Sequence, residues 1–171
     1  LLAVTLNGMA AWAQFNNSGT TTIAVSVSAE AAIRIDTSST SLANSGQMFA
    51  DYTGTTNFTY KIRTSQSGGT GAVTLKITSD FSPSGGPSVA TPPSAGDLLK
   101  YTCSVTAPAT ACSSEQTAST ANSTAVANFG ADQHSDTSGT SGNSVNWTLT
   151  NDAQYKTGSY SATATFTISA A

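Results

Sequence analysis

The sequence predicts an all-β protein, an antiparallel sandwich of roughly eight or nine short strands. Period-two alternation of apolar and polar residues runs through several stretches, the mark of a strand with one buried face. Segments rich in Gly, Pro and Ser separate those stretches. No stretch carries an apolar stripe at helical spacing over three turns; the nearest, Ala29-Glu30-Ala31-Ala32, is a single turn at most.

Taken in order, the first element is an N-terminal extension, residues 1–28. Within it Leu2, Val4 and Leu6 alternate with Ala3, Thr5 and Asn7, and Ile23, Val25 and Val27 alternate with Ala24, Ser26 and Ser28. The small-x-small triplet Ala11-Trp12-Ala13 before Gln14 reads like a signal-peptidase site, which makes residues 1–13 a signal-peptide remnant. A reading in which they are retained stands beside it, and both imply export. Asn7 and Gly8 interrupt the segment too early for it to span a bilayer as a helix.

Residues 29–171 read as one sandwich domain. Its strongest strands run through Phe58-Tyr60-Ile62, Val73-Leu75-Ile77, Leu99-Tyr101-Cys103-Val105, Val145-Trp147-Leu149 and Tyr160 to Ile168. Weaker candidates are Ile33-Ile35, Met48-Phe49 and Val126-Phe129. Threonine dominates the intervening positions, where a β-branched side chain suits a pleated surface. Loops are expected at Ser65–Gly71, at Ser82–Gly96 with four of the five prolines, and at Ser135–Asn143.

Composition narrows the function. Charged residues are 9% of the 171, and Ser with Thr make up about a third; an average globular chain is about 25% charged. Leu, Ile, Val and Phe together reach only about 16%, a level that implies disorder only when net charge is high. Here it is −3. Six basic residues and a pI near 4.7 disfavour nucleic acid as a partner.

Cys103 and Cys112 form at most one bridge. Their spacing is wrong for a redox CxxC pair, and with one distant His they make no zinc site, so an exported chain is expected to bond them. Asn16, Asn57, Asn122 and Asn146 head Asn-x-Ser/Thr triplets that are acceptors for glycosylation in such a chain.

The sequence offers no catalytic constellation. His134 lies between Asp132 and Asp136, a pattern open to a triad or a calcium loop, but no Gly-x-Ser-x-Gly elbow and no EF-hand spacing accompany it. A solvated loop histidine is the expectation. Glu30 and Glu115 are the only glutamates and nothing beside either tunes it for glycoside cleavage. Gly68-Gly69-Thr70-Gly71 lacks the lysine of a phosphate loop. Trp147 shares the phase of Val145 and Leu149 and is expected in the core, whereas Trp12 is unassigned. No enzyme, metal or cofactor is expected.

Tyr155, Gly158-Ser159-Tyr160 and Ala162-Thr163-Ala164-Thr165-Phe166-Thr167-Ile168 resemble the closing corner and last strand of bacterial secreted immunoglobulin-like sandwiches, the spore-coat-U-type and fimbrial subunits. The resemblance covers about the last 25 residues and implies an immunoglobulin-like sandwich completed by a strand from the adjoining subunit. Those families often place a disulfide near the start of the domain; here both cysteines lie mid-chain. The expected function is therefore a pilin-like subunit of an extracellular filament, its partners identical subunits joined head to tail. The donated segment is Leu2-Val4-Leu6 if residues 1–6 are retained, and the stretch 14–28 with Ile23, Val25 and Val27 if they are removed. The alternative is a monomeric secreted glycan-binding module or adhesin reading through the loops 82–96 and 135–143.

Overall fold

The computed structural model describes residues 18–171. The described strands are β1 (Glu30–Ile35), β2 (Ala43–Asn44), β3 (Tyr52–Arg63), β4 (Gly71–Ser82), β5 (Leu99–Ser104), β6 (Thr110–Ala111), β7 (Gln116–Thr117), β8 (Thr124–Phe129), β9 (Thr140–Leu149) and β10 (Ser161–Ala170). Among the described residues there is no helix, and so none long and apolar enough to cross a membrane. Every strand pairing is antiparallel. One sheet runs β1-β3-β9-β5-β7, with β2 paired to β3, and the other runs β10-β4-β8-β6.

The period-two residues meet between these sheets. Phe58, Tyr60 and Ile62 of β3, Val145, Trp147 and Leu149 of β9, and Leu99 and Tyr101 of β5 face Val73, Leu75 and Ile77 of β4 with Val126 and Phe129 of β8. Two phenols are buried there with their polar ends satisfied. Tyr60 donates to the Thr106 carbonyl at 2.8 Å, and Tyr101 to the Ala125 carbonyl at 2.8 Å. Trp147, 6% exposed, is in the core as its phase requires.

The two flanks of the sandwich differ. On one flank Cys103 of β5 is bonded to Cys112, just beyond β6, so the bridge ties one sheet to the other. On the opposite flank stand β1 and β10, the terminal strands of their sheets, and among the described residues neither has a hydrogen-bonded neighbour on its outer side. That flank holds the site described below.

The strand expectations fail in instructive places. Met48 and Phe49 lie in a turn, because Asn44 organises the backbone there. Its Oδ1 accepts the Gly46 amide at 2.7 Å and its Nδ2 donates to the Gln47 carbonyl at 3.0 Å. Strand β9 starts inside the expected loop 135–143. The cause is Asn143, whose fully buried amide donates to the carbonyls of Phe58 (3.1 Å) and Thr140 (2.8 Å) and accepts the Thr106 N–H at 2.9 Å. The pairs β2, β6 and β7 are two residues long and carry no alternation to read.

Candidate functional site

Strand β10 alternates as well as any in the chain, yet its inner face is only half covered. Ala162, Ala164, Phe166 and Ile168 point inward and are partly exposed, while Val73, Leu75 and Ile77 on the adjoining β4 are at most 2% exposed. Across the flank, Ile33 of β1 is partly buried and Ile35 is 38% exposed. Between these strands runs a cleft of about 1320 Å³. Its floor is the core itself, with Ile77, Leu99, Trp147, Leu149 and Phe166 all contributing.

The cleft has a direction. Arg63 ends β3 and Gly71 begins β4, so residues 64–70 form the hairpin joining the sheets. Glu30 pairs with Arg63 and Ala170 with Gly71, which places the start of β1 and the end of β10 at that hairpin. The Ala171 carbonyl accepts the amides of Ser65 and Thr70 there. The lining takes in Ile35, residues 161–164 and Phe166 but none of Ala31, Ile33, Ile168 or Ala170. It therefore closes toward the hairpin and opens at the opposite pole, where the chain around Met48, Phe49 and residues 151–160 forms the mouth.

One wall is the segment Thr37–Leu42, which continues β1 without joining the sheet. It is fastened to the floor by hydroxyls. The Thr40 and Thr56 oxygens are 2.6 Å apart, and the Trp147 indole N–H donates to Thr56 at 2.8 Å. Gly54 permits the approach: a Cβ there would meet the Ser41 carbonyl oxygen at 2.7 Å and Leu42 Cδ2 at 2.8 Å.

The charged residues of the lining, Asp152 and Lys156, stand at the mouth, and Asp97 lies behind Asp152. Asp97, 2% exposed, accepts the Ser94 amide at 3.2 Å and has no cationic partner. Burial, together with the carboxylate of Asp152, pushes its carboxyl above the usual range. Asp152 is held lower by the Gln154 amide and the Ser94 hydroxyl. Burial, and then these two carboxylates, drive the Tyr155 phenol well above its ordinary value. Asp152 thus ionises before Asp97 as the pH rises.

The residues singled out from sequence are dispersed relative to this cleft. Ile23, Val25 and Val27 precede β1 and are 92%, 86% and 63% exposed, with no strand partner among the described residues. Leu2, Val4, Leu6, Trp12 and Asn16 lie outside the described residues. Asn57 and Asn122 are exposed, while Asn146 is half-buried and accepts the Thr55 hydroxyl at 3.0 Å. His134 is exposed beside Arg63, and Asp132 and Asp136 are exposed as well. Among the described residues no three His, Cys, Asp or Glu side chains gather to hold a metal ion. The cleft was missed as such; the signal for it was the two small residues, Ala162 and Ala164, on the inner face of the last strand. No family model, curated protein or solved structure matches this chain.

Proposed function

We propose that the chain is a pilin-like structural subunit of an extracellular filament, and that each subunit's cleft receives the Ile23–Val27 segment of an identical neighbour. The observation that carries this reading is a complementary pair within one chain: an apolar cleft beside the free edge of β10, and an exposed apolar segment with a strand's alternation. A free strand edge offers unpaired N–H and C=O groups, and its half-open inner face offers seats for alternate side chains. The dimensions agree. Residues 161–164 and Phe166 line the cleft, a span of about 20 Å of strand, and Ile23–Val27 extended is about 17 Å. Three inward positions of β10, Ala162, Ala164 and Phe166, face the space that Ile23, Val25 and Val27 would fill.

Magnitudes favour a joint contribution of side chains and backbone. Three β-branched side chains buried from water supply about 4–9 kcal/mol in all, while association costs about 4–15 kcal/mol. Side chains alone leave little surplus, and hydrogen bonding along β10 must add to them. Low charge lets subunits sit close, and a head-to-tail contact that does not close yields a fibre. The Cys103–Cys112 bond suits folding in an oxidising compartment. The resemblance of residues 155–168 to secreted immunoglobulin-like filament subunits points the same way.

The test compares the full chain with a full chain carrying I23D/V25D/V27D. Electron microscopy and size exclusion should show polymer for the first and monomer for the second, with equal melting temperatures, because the three residues contribute nothing to their own chain's core. Polymer of equal length from both would overturn the proposal. A monomeric parent that binds glycans through its 82–96 and 135–143 loops would overturn it in favour of the adhesin reading.

A further inference from the structure

Resting on that reading, we infer that Met48 and Phe49 are the seat for the body of the neighbouring subunit, whose hairpin pole caps the mouth of the cleft. The geometry begins with the root of the extension. Arg63 Nε donates to the Ser28 carbonyl at 2.8 Å, and its Nη2 contacts Glu30 at 3.0 Å. The extension is thereby fastened to its own hairpin pole, and its folded body starts one residue after Val27. Wherever Val27 leaves an acceptor's cleft, the donor's hairpin pole must stand.

The shape of the cleft decides where that is. If the donated segment ran parallel to β10, Val27 would lie beside Phe166, at the blind end where β1 and β10 converge. The donor's body would then collide with the acceptor's own strands. The antiparallel direction, which every pairing in both sheets already uses, puts Val27 beside Ala162 at the mouth, with the body outside. Two large apolar side chains wait there: Met48 is 94% exposed and Phe49 is 64% exposed, and both line the mouth.

The loop that presents them is built, not slack. Asn44 braces it on two sides, the Ala50 amide bonds the Gln47 carbonyl at 3.2 Å, and the Asn151 side chain holds the Ala50 carbonyl at 3.2 Å. Phe49 itself sits at φ 56°, a left-handed conformation that a bulky side chain rarely adopts. Placing an aromatic residue in that backbone and aiming it at water has no benefit for the isolated chain. Against the neighbour's Ala29 and the 64–70 hairpin it becomes a buried anchor.

The experiment separates the two contacts. A full chain with I23D/V25D/V27D serves as an acceptor that donates nothing, and a synthetic peptide of residues 18–28 serves as the free strand. Adding M48S/F49S to the acceptor should weaken peptide capture far less than it weakens polymerisation, since the peptide carries no body to seat on the two side chains. The same two substitutions in the otherwise native chain should weaken polymerisation by about tenfold or more. Unchanged polymerisation would overturn the inference. Peptide capture weakened by M48S/F49S as much as polymerisation would also overturn it, because the pair would then act on the strand alone and not on the neighbour's body. Failure of the acceptor with its native loop to capture the peptide would instead defeat strand donation itself.

Discussion

The Trp147 indole nitrogen donates to the Thr56 hydroxyl at 2.8 Å on the floor of the cleft, and that hydroxyl lies 2.6 Å from Thr40 in the cleft wall. A single buried oxygen therefore satisfies the largest core side chain and positions the segment that keeps the cleft open. Replacing it with a methyl group leaves the indole N–H without a partner in a site where water is scarce. We expect Thr56→Val to cost about 1–3 kcal/mol. Chemical denaturation would show this as a lowered midpoint with an unchanged slope, and intrinsic tryptophan emission should shift as Trp147 loses its acceptor.

The disulfide acts on the opposite flank. Cys103 and Cys112 are nine residues apart in sequence and belong to different sheets. The closed loop is short, so the entropic contribution is about 2–3 kcal/mol. Cys103→Ala with Cys112→Ala should lower the melting temperature by a corresponding amount, and reducing agent should do the same to the parent while leaving the variant unaffected. An equal response of both proteins to reductant would contradict it.

Space beside β10 is kept by small residues. Ala164 pairs with Ile77 and lines the cleft. Leucine at this position would fill part of the void from within, adding apolar contacts to the monomer. Ala164→Leu should raise the melting temperature of the I23D/V25D/V27D chain, and should weaken capture of the 18–28 peptide at least about tenfold. Tighter capture would mean that the cleft is not where the peptide lies.

Acidity should tune stability through Asp97. Its carboxyl titrates above the usual range in the folded chain because it is buried beside Asp152. Above that raised value the folded state alone carries the cost of the buried charge. As the pH falls through it, the folded chain takes up a proton that the unfolded chain has released, and stability rises until the ordinary value near 3.8. Below that, the depressed carboxyls of Asp36, Asp80 and Asp152 reverse the trend, because their stabilisation is lost on protonation. Melting temperature is thus expected to peak at mildly acidic pH. Asp97→Asn should flatten the neutral side of that curve and leave the acid side; a curve of unchanged shape would rule out Asp97 as its source.

What the sequence alone determined is what period two can encode. The alternation through Phe58-Tyr60-Ile62, Val73-Leu75-Ile77 and Val145-Trp147-Leu149 depends only on the geometry of an extended chain with one dry face, and it placed the central strands and the core aromatics correctly. It also marked Ile23, Val25 and Val27 as a strand, although among the described residues that segment pairs with nothing. The tertiary structure alone decided which strands became the edges, that the Cys103–Cys112 bond ties one sheet to the other, and that among the described residues one flank stays open over Trp147 and Leu149. Local pattern specifies which face of a strand is apolar. Whether a neighbouring strand arrives to cover that face depends on residues far away in the chain, and no alternation within the strand records its absence.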